Sequence, residues 1–299
     1  MCISVVIVTI GAKDYLKSCL SSLLVQTCFI SEIIVIDNSL NPNLISEINT
    51  VYPSVKFLAS KENLFYAAGM NEGIRLSKGK FILCLNDDVI LDKNFILEAL
   101  KGFGINKNIG MVSGKLLRRD KKTFDSTGLF LSVWRTAKER GYGKIDLGQY
   151  EKNGYIFGVS GSVAFFRRQM LEDIKNDGDY FDSSFGMFYE DLDLAWRANV
   201  IGWKGYYISS AIAYHVRGGS FRPDSGIDKA TARKYLNDQL LYDLIKNRYL
   251  TILKNETLFS FLLYFIPISI YDLCVWIHVI FFRPRVIKLF FNRKVKKSK

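Results

Sequence analysis

The chain lacks the two glycine fingerprints by which many doubly wound folds declare a ligand. No GxGxxG follows a strand and no GxxxxGK[ST] occurs, so neither a dinucleotide site nor a P-loop is supported. There is no CxxC pair either. The five cysteines (Cys2, Cys19, Cys28, Cys84 and Cys274) are scattered, which excludes a structural zinc framework and implies a reducing compartment. No basic n-region precedes the β-branched start at Ile3–Thr9, so secretion is not expected. Histidine is scarce, with two residues in 299. Excess positive charge is scarce over most of the length: eight of the 41 Lys and Arg lie in residues 283–299, and without them the net charge of +12 falls to +4. Nucleic-acid binding by the main domain is therefore not indicated.

What is present is an alternation of strands and helices. Residues 4–9, 32–36, 55–59 and 81–85 read as strands, and 15–26, 45–51 and 63–76 as the helices between them. This succession predicts an α/β fold with a doubly wound, mostly parallel sheet, whose ligands bind beyond the carboxyl ends of the strands. Three strands end in polar residues: Thr9-Ile10-Gly11, Asp37-Asn38-Ser39 and Asn86-Asp87-Asp88. The last is the most informative, because an uncharged run stops at two adjacent carboxylates. Such a pair suits a divalent cation that also holds phosphate oxygens, and it equally suits a turn before the next helix.

The second half is less regular. Residues 123–138 and 141–154, rich in glycine and aromatics, suit long loops or short strands shaping a cleft. Residues 158–167 read as a strand with small residues, including Gly161 and Ser162, where a ligand or another stretch of backbone can approach closely. Glu190, Asp191 and Asp193 open a helix, where the macrodipole favours acids; Arg197 stands four residues after Asp193, as in an ordinary helix ion pair. His215 follows an apolar run and precedes glycines, open to a structural role or to contact with a diphosphate or metal.

Taken in order, Val5-Val6-Ile7-Val8-Thr9, Val35-Ile36-Asp37-Asn38-Ser39, Glu62 through Asn71, Leu85-Asn86-Asp87-Asp88, Tyr189 through Arg197, and His215 with Gly218 and Ser220 resemble a family 2 glycosyltransferase of GT-A fold, in particular the rhamnosyltransferase-like bacterial members. The resemblance implies an inverting transfer of sugar from a nucleotide-sugar, UDP- or dTDP-linked, to a glycan or lipid-linked acceptor in envelope polysaccharide assembly. It places Thr9, Gly11, Asp37, Asn38, Asn63, Gly69, Asn71, Asn86 and Asp87 at the nucleotide-sugar, and Asp88 and His215 at Mg2+ or Mn2+. Asp191, with Glu190 beside it, takes the place of the catalytic base, and Gly161, Ser162 and Trp196 lie on the acceptor side. Ile10-Gly11 departs from the Tyr-Asn found there in many relatives, and Asn86 replaces the first acid of the metal motif.

The expected organisation is a catalytic domain over residues 1–225, divided at 115/116 into nucleotide and acceptor halves, an amphipathic helix over 226–255, and membrane-associated helices with a basic tail over 256–299. Residues 258–282 are long and apolar enough to cross a bilayer. Pro267, Asp272 and the positive tail favour an in-plane or re-entrant pair on anionic lipid, at the cytoplasmic face of the membrane. Two rival functions are a metal-dependent nucleotidyltransferase and a non-catalytic membrane-bound glycan- or nucleotide-binding protein.

Overall fold

A computed structural model describes residues 2–216 and 236–292. The first half alternates as expected: β1 (Ile3–Thr9), α1 (Lys13–Leu24), β2 (Glu32–Asp37), α2 (Leu44–Asn49), β3 (Lys56–Ala59), α3 (Phe65–Leu76) and β4 (Phe81–Asn86). Then come β5 (Val89–Leu91), α4 (Phe95–Ile105), β6 (Ile109–Arg118), the short strands β7 (Phe124–Ser126), β8 (Leu129–Leu131), β9 (Ala137–Glu139) and β10 (Gly154–Ile156), and β11 (Val163–Arg167). There follow α5 (Arg168–Asp173), α6 (Glu190–Val200) and β12 (Lys204–His215). The C-terminal helices are α7 (Asp238–Asn255), α8 (Leu258–Leu263), α9 (Phe265–Phe282) and α10 (Arg285–Asn292).

One ten-stranded sheet runs β10-β12-β6-β11-β4-β1-β2-β3, with β5 on β12 and β7 on β6. The β4-β1-β2-β3 half is parallel throughout. β1, β2 and β4 are apolar along most of their length because both faces are covered, whereas the edge strand β3 is mostly exposed. Val5 and Leu83 join the core beneath α1 and α4, while their neighbours Val6 and Ile82 join the core beneath α3 and α5. Each such buried aliphatic side chain contributes about 1.5–3 kcal/mol. The sequence pattern does not reveal that β11 enters antiparallel between β4 and β6. Nor does the 115/116 seam separate two bodies, since it falls inside β6 and both halves share the sheet.

Register then places the polar ends. Val89 of β5 pairs with His215 of β12, and the Val216 N–H donates to the Asp88 carbonyl at 3.1 Å, so Asp88 must lie beside His215. The β6–β12 ladder carries a register shift between Ile208 and Ile212, opposite Gly114. A Cβ on Gly114 would sit 2.2 Å from the Ala211 carbonyl oxygen and 2.6 Å from the Phe95 ring, and that backbone atom cannot swing away.

At the C-terminus, residues 258–282 are two helices rather than one, broken at Tyr264. Pro267 sits in the first turn of α9, where no intrahelical N–H bond is lost, so it does not interrupt the helix. Gly218 and Ser220, the start of the expected amphipathic helix and most of the basic tail lie outside the described residues.

Gly114→Ala is expected to lower unfolding free energy by about 1–3 kcal/mol through overpacking. Denaturant unfolding of the variant checks this, and wild-type stability would contradict the close approach.

Candidate active site

The turn after β1 is shaped for a tight bend. Gly11 has φ +97°, and a Cβ there would lie 2.8 Å from the Ser39 Cβ, so no other residue fits without strain. Its N–H donates to the Thr9 hydroxyl at 3.1 Å, and that hydroxyl donates to Asp87 Oδ2 at 2.6 Å. Asp37, at the end of β2, accepts from the Ser39 N–H at 2.8 Å. Asn38 donates to the Phe65 carbonyl at 3.1 Å, while its Oδ1 is buried with no partner. These residues bring the ends of β1, β2 and β4 to one edge.

Asp87 and Asp88, adjacent in sequence, are driven apart by their surroundings. Burial, aided by the charge of Asp88 and opposed by the Thr9 hydroxyl, pushes Asp87 up to about 6. Burial also opposes a charge on Asp88, but His215 outweighs it and holds that carboxyl below its usual range. Asp88 Oδ1 lies 3.1 Å from His215 Nε2, and Nδ1 of the same ring lies 2.8 Å from Asp125 Oδ2. Burial opposes a proton on His215; Asp88 and Asp125 overcome it and raise the imidazole to about 10.

This arrangement fits a divalent cation on a stated test. Asp88 Oδ1 and His215 Nε2 are both buried and neither has a hydrogen-bond partner of acceptable geometry, although they nearly touch. Two cis ligands about 2.1 Å from an octahedral ion stand about 3 Å apart. Asp125, fully buried on β7, takes the other ring nitrogen, as carboxylates commonly do behind a metal-binding histidine. A cation at Nε2 would displace the imidazole proton. Among the described residues there is no cluster of three or more His, Cys, Asp or Glu that could hold a metal. The remaining ligands must therefore come from elsewhere, and phosphate oxygens are the natural source. A cleft of about 570 Å³ opens beside Asp88, with Lys13, Tyr15, Ser18 and Arg119 on its walls.

The three acids of α6 have separate fates. Asp193 is fully spent: Arg197 Nε donates to it at 2.9 Å and Asn255 of α7 at 2.7 Å, so the ordinary helix ion pair is the correct reading for that residue. Glu190 is buried with Oε2 unpartnered, and burial followed by the charge of Asp191 raises it well above its usual range. Asp191 is only partly buried; Gly161 N–H donates to its Oδ2 at 3.0 Å, and the Tyr66 hydroxyl donates to the Gly161 carbonyl. Asp191 is thus the more exposed of the two carboxyls, and Glu190 is buried beside it. Ser162 accepts from the Asn86 N–H through its carbonyl at 3.0 Å.

Several expected contacts are reassigned. Asn71 is fully buried with its amide saturated: it donates to the Phe181 carbonyl and Ser183 hydroxyl and accepts from the Tyr180 and Phe181 N–H groups. It holds a turn, leaving nothing for a nucleotide. At Gly69 a Cβ would stand 3.0 Å from Val8, so glycine there lets α3 close on β1. Trp196 is buried, edge-on to Phe157 at 6.2 Å with Arg135 over its ring, and presents little surface to an acceptor. Asn63 is exposed and accepts from the Phe65 N–H at 2.8 Å, fixing the turn into α3. Asp125 and Tyr66 were missed. Asp125 sits in a three-residue strand with no periodicity, and Tyr66 lies inside a motif whose asparagines and glycine drew the assignment.

Known proteins agree with this architecture. The model of glycosyl transferase family 2 matches residues 4–175. The chain belongs to that family. It is 24% identical over 219 residues to poly-beta-1,6-N-acetyl-D-glucosamine synthase of Staphylococcus epidermidis, covering 71% of this chain and 49% of that protein. The Staphylococcus aureus (strain MSSA476) protein of the same name is 22% identical over 208 residues, covering 68% and 47%. The chain therefore spans about half the length of the curated relatives it matches. Among solved structures, GalNAc-T7 with UDP, GalNAc and Mn2+ superposes with TM-score 0.61 at 12% identity, over 84% of this chain and 47% of that one. The mannosyltransferase PcManGT of Pyrobaculum calidifontis with GDP-Man and Mn2+ gives 0.56 at 14%, over 96% and 72%. S. aureus TarS gives 0.57 at 14%, over 86% and 40%. The family 2 chain has the fold of these solved proteins.

Glu190→Gln tests the buried acid. A carboxyl whose folded pKa is raised stabilises the protein below its unfolded value, near 4.5, and that contribution is lost as pH climbs toward the folded value. The variant cannot ionise, so its stability relative to wild type should rise with pH above 4.5 in denaturant titrations. A pH-independent difference would contradict a protonated Glu190.

Proposed function

We propose that this glycosyltransferase inverts configuration as it moves a sugar from a nucleoside-diphosphate sugar to a hydroxyl of a glycan or lipid-linked saccharide. Asp191 acts as base, and Mg2+ or Mn2+ sits at Asp88 and His215. The observation that carries this reading is the segment 160–162. Gly161 N–H grips Asp191, and the next residue's carbonyl receives the Asn86 N–H, two residues before Asp88. One short stretch of backbone thus joins the carboxylates just after β4 to the carboxylate on α6.

The chemistry follows from that division. The acceptor oxygen attacks the anomeric carbon, its proton passes to Asp191, and the electrons of the breaking C–O bond leave with the diphosphate. One base and one displacement invert the centre, and no second carboxylate nucleophile is required. The bound cation would supply neutralisation of charge on the departing diphosphate. Thr9 and Asp87 fix the turn under the nucleotide, and Asp125 orients His215. The donor is read as UDP- or dTDP-linked. GalNAc-T7 and PcManGT were solved with Mn2+ and with UDP or GDP-Man, which supports a nucleotide-sugar and a divalent ion without choosing the base.

A role in envelope polysaccharide assembly at the cytoplasmic face of the membrane fits the C-terminal helices. Among the described residues α9 alone is long and apolar enough to cross a bilayer, and 11% of it is buried. Exposed Phe259 and Leu262 on α8 and Ile266, Leu273 and Phe281 on α9 offer apolar surface, with basic residues following. In-plane seating on anionic lipid uses both features. The name of the staphylococcal relatives, a polysaccharide synthase, points the same way.

Asp191→Asn should keep nucleoside-diphosphate affinity while losing transfer by about 10²–10⁴-fold. Calorimetry and a radiolabelled-sugar transfer assay check both halves, and undiminished transfer would remove Asp191 as base. Replacing Ile266, Leu273 and Phe281 with Asp should release the protein from anionic vesicles in flotation, and unchanged flotation would remove α9 as the anchor.

A further inference from the structure

The start of α6 is held in place by a helix from outside the catalytic domain. Phe188 and Tyr189, immediately before Glu190 and Asp191, have φ +71° and +70°. Two consecutive residues with Cβ atoms in the left-handed region are disfavoured, and α6 has no side-chain N-cap of its own. Something else must hold the turn.

Asn247 of α7 does so. It is fully buried, and its Nδ2 lies 2.7, 2.7 and 2.9 Å from the carbonyl oxygens of Phe185, Met187 and Phe188. On the same helix Lys246 donates to the Ser184 carbonyl at 3.1 Å, and Asn255 donates to Asp193 at 2.7 Å. The grip therefore spans both the turn and the first turn of α6. Arg248, next to Asn247, donates to the Trp134 carbonyl at 2.8 Å and pairs with Asp272 of α9. A continuous chain of polar contacts runs from the apolar α9 to the residues bearing Asp191.

We propose that Asn247 is a positioning residue for Asp191, so that transfer requires α7 packed against the 185–189 turn. This rests on the reading of Asp191 as base. The turn's strained backbone is what aims the carboxylate, and three carbonyl oxygens tied to one amide are what keep that backbone from relaxing into an ordinary helix start. The consequence is that the C-terminal helices serve geometry as well as attachment.

The test compares Asn247→Leu, which keeps the size but removes the donor, with Asn247→Asp, which turns a carboxylate on the same carbonyls. Leu253→Ala, on the same helix but 80% exposed, is the control. Both Asn247 variants should lose about 10- to 100-fold in kcat, with donor KM and nucleoside-diphosphate affinity unchanged. Amide hydrogen exchange should quicken across residues 185–191 while β1 and β4 stay protected, and Leu253→Ala should behave as wild type. A folded Asn247 variant with wild-type kcat, or with unaltered exchange at 185–191, overturns the proposal. Should Asp191→Asn still transfer sugar, the base assignment falls instead, and the exchange measurement still decides whether Asn247 holds the turn.

Discussion

The site depends on a stretch of backbone three residues long. Ser160, Gly161 and Ser162 lie between β4 and α6, and their main-chain groups reach both: Gly161 N–H to Asp191 and the Ser162 carbonyl to the Asn86 N–H. Tyr66 of α3 closes the third side by donating to the Gly161 carbonyl. Backbone hydrogen bonds of this kind cannot be retuned by changing a rotamer, so the spacing between the two carboxylate centres is set by the sheet itself. The antiparallel insertion of β11 beside β4 makes this possible, because it turns the chain back across the strand end where Asp87 and Asp88 emerge.

Environment then gives similar side chains different tasks. Asp87 and Asp88 differ by one position, yet one is buried against a hydroxyl and pushed toward neutrality while the other is held ionised by an imidazole. On the opposite side burial also raises Glu190, while its neighbour Asp191 is only partly buried. Pairs of titratable groups pushed apart in this way mark acid–base division of labour.

Much of this was legible from the sequence, for reasons that vary by residue. The parallel half of the sheet was readable because buried strands must be continuous apolar runs, and their polar ends then share an edge. Asp88, Asp191 and His215 stood out as chemistry-bearing residues at element ends. Asn71, Gly69 and Trp196 have packing roles that were not legible, because a motif shows that a residue type is demanded, not whether a ligand or the fold demands it. Asn71 is consumed by a turn, and Gly69 by the approach of α3 to β1. Asp125 and Asn247 could not be found, since a carboxylate in a three-residue strand and an amide inside a helix acquire their roles only from partners 90 and about 60 residues away.

A crystal structure with Mn2+ and a nucleoside diphosphate tests the central claim most directly. The account predicts one Mn2+ held jointly by Asp88 Oδ1 and His215 Nε2, with diphosphate oxygens completing its shell and the Asp191 carboxylate facing the anomeric position from the far side. An ion bound elsewhere, or a diphosphate seated while Asp88 and His215 remain in mutual contact, would contradict it.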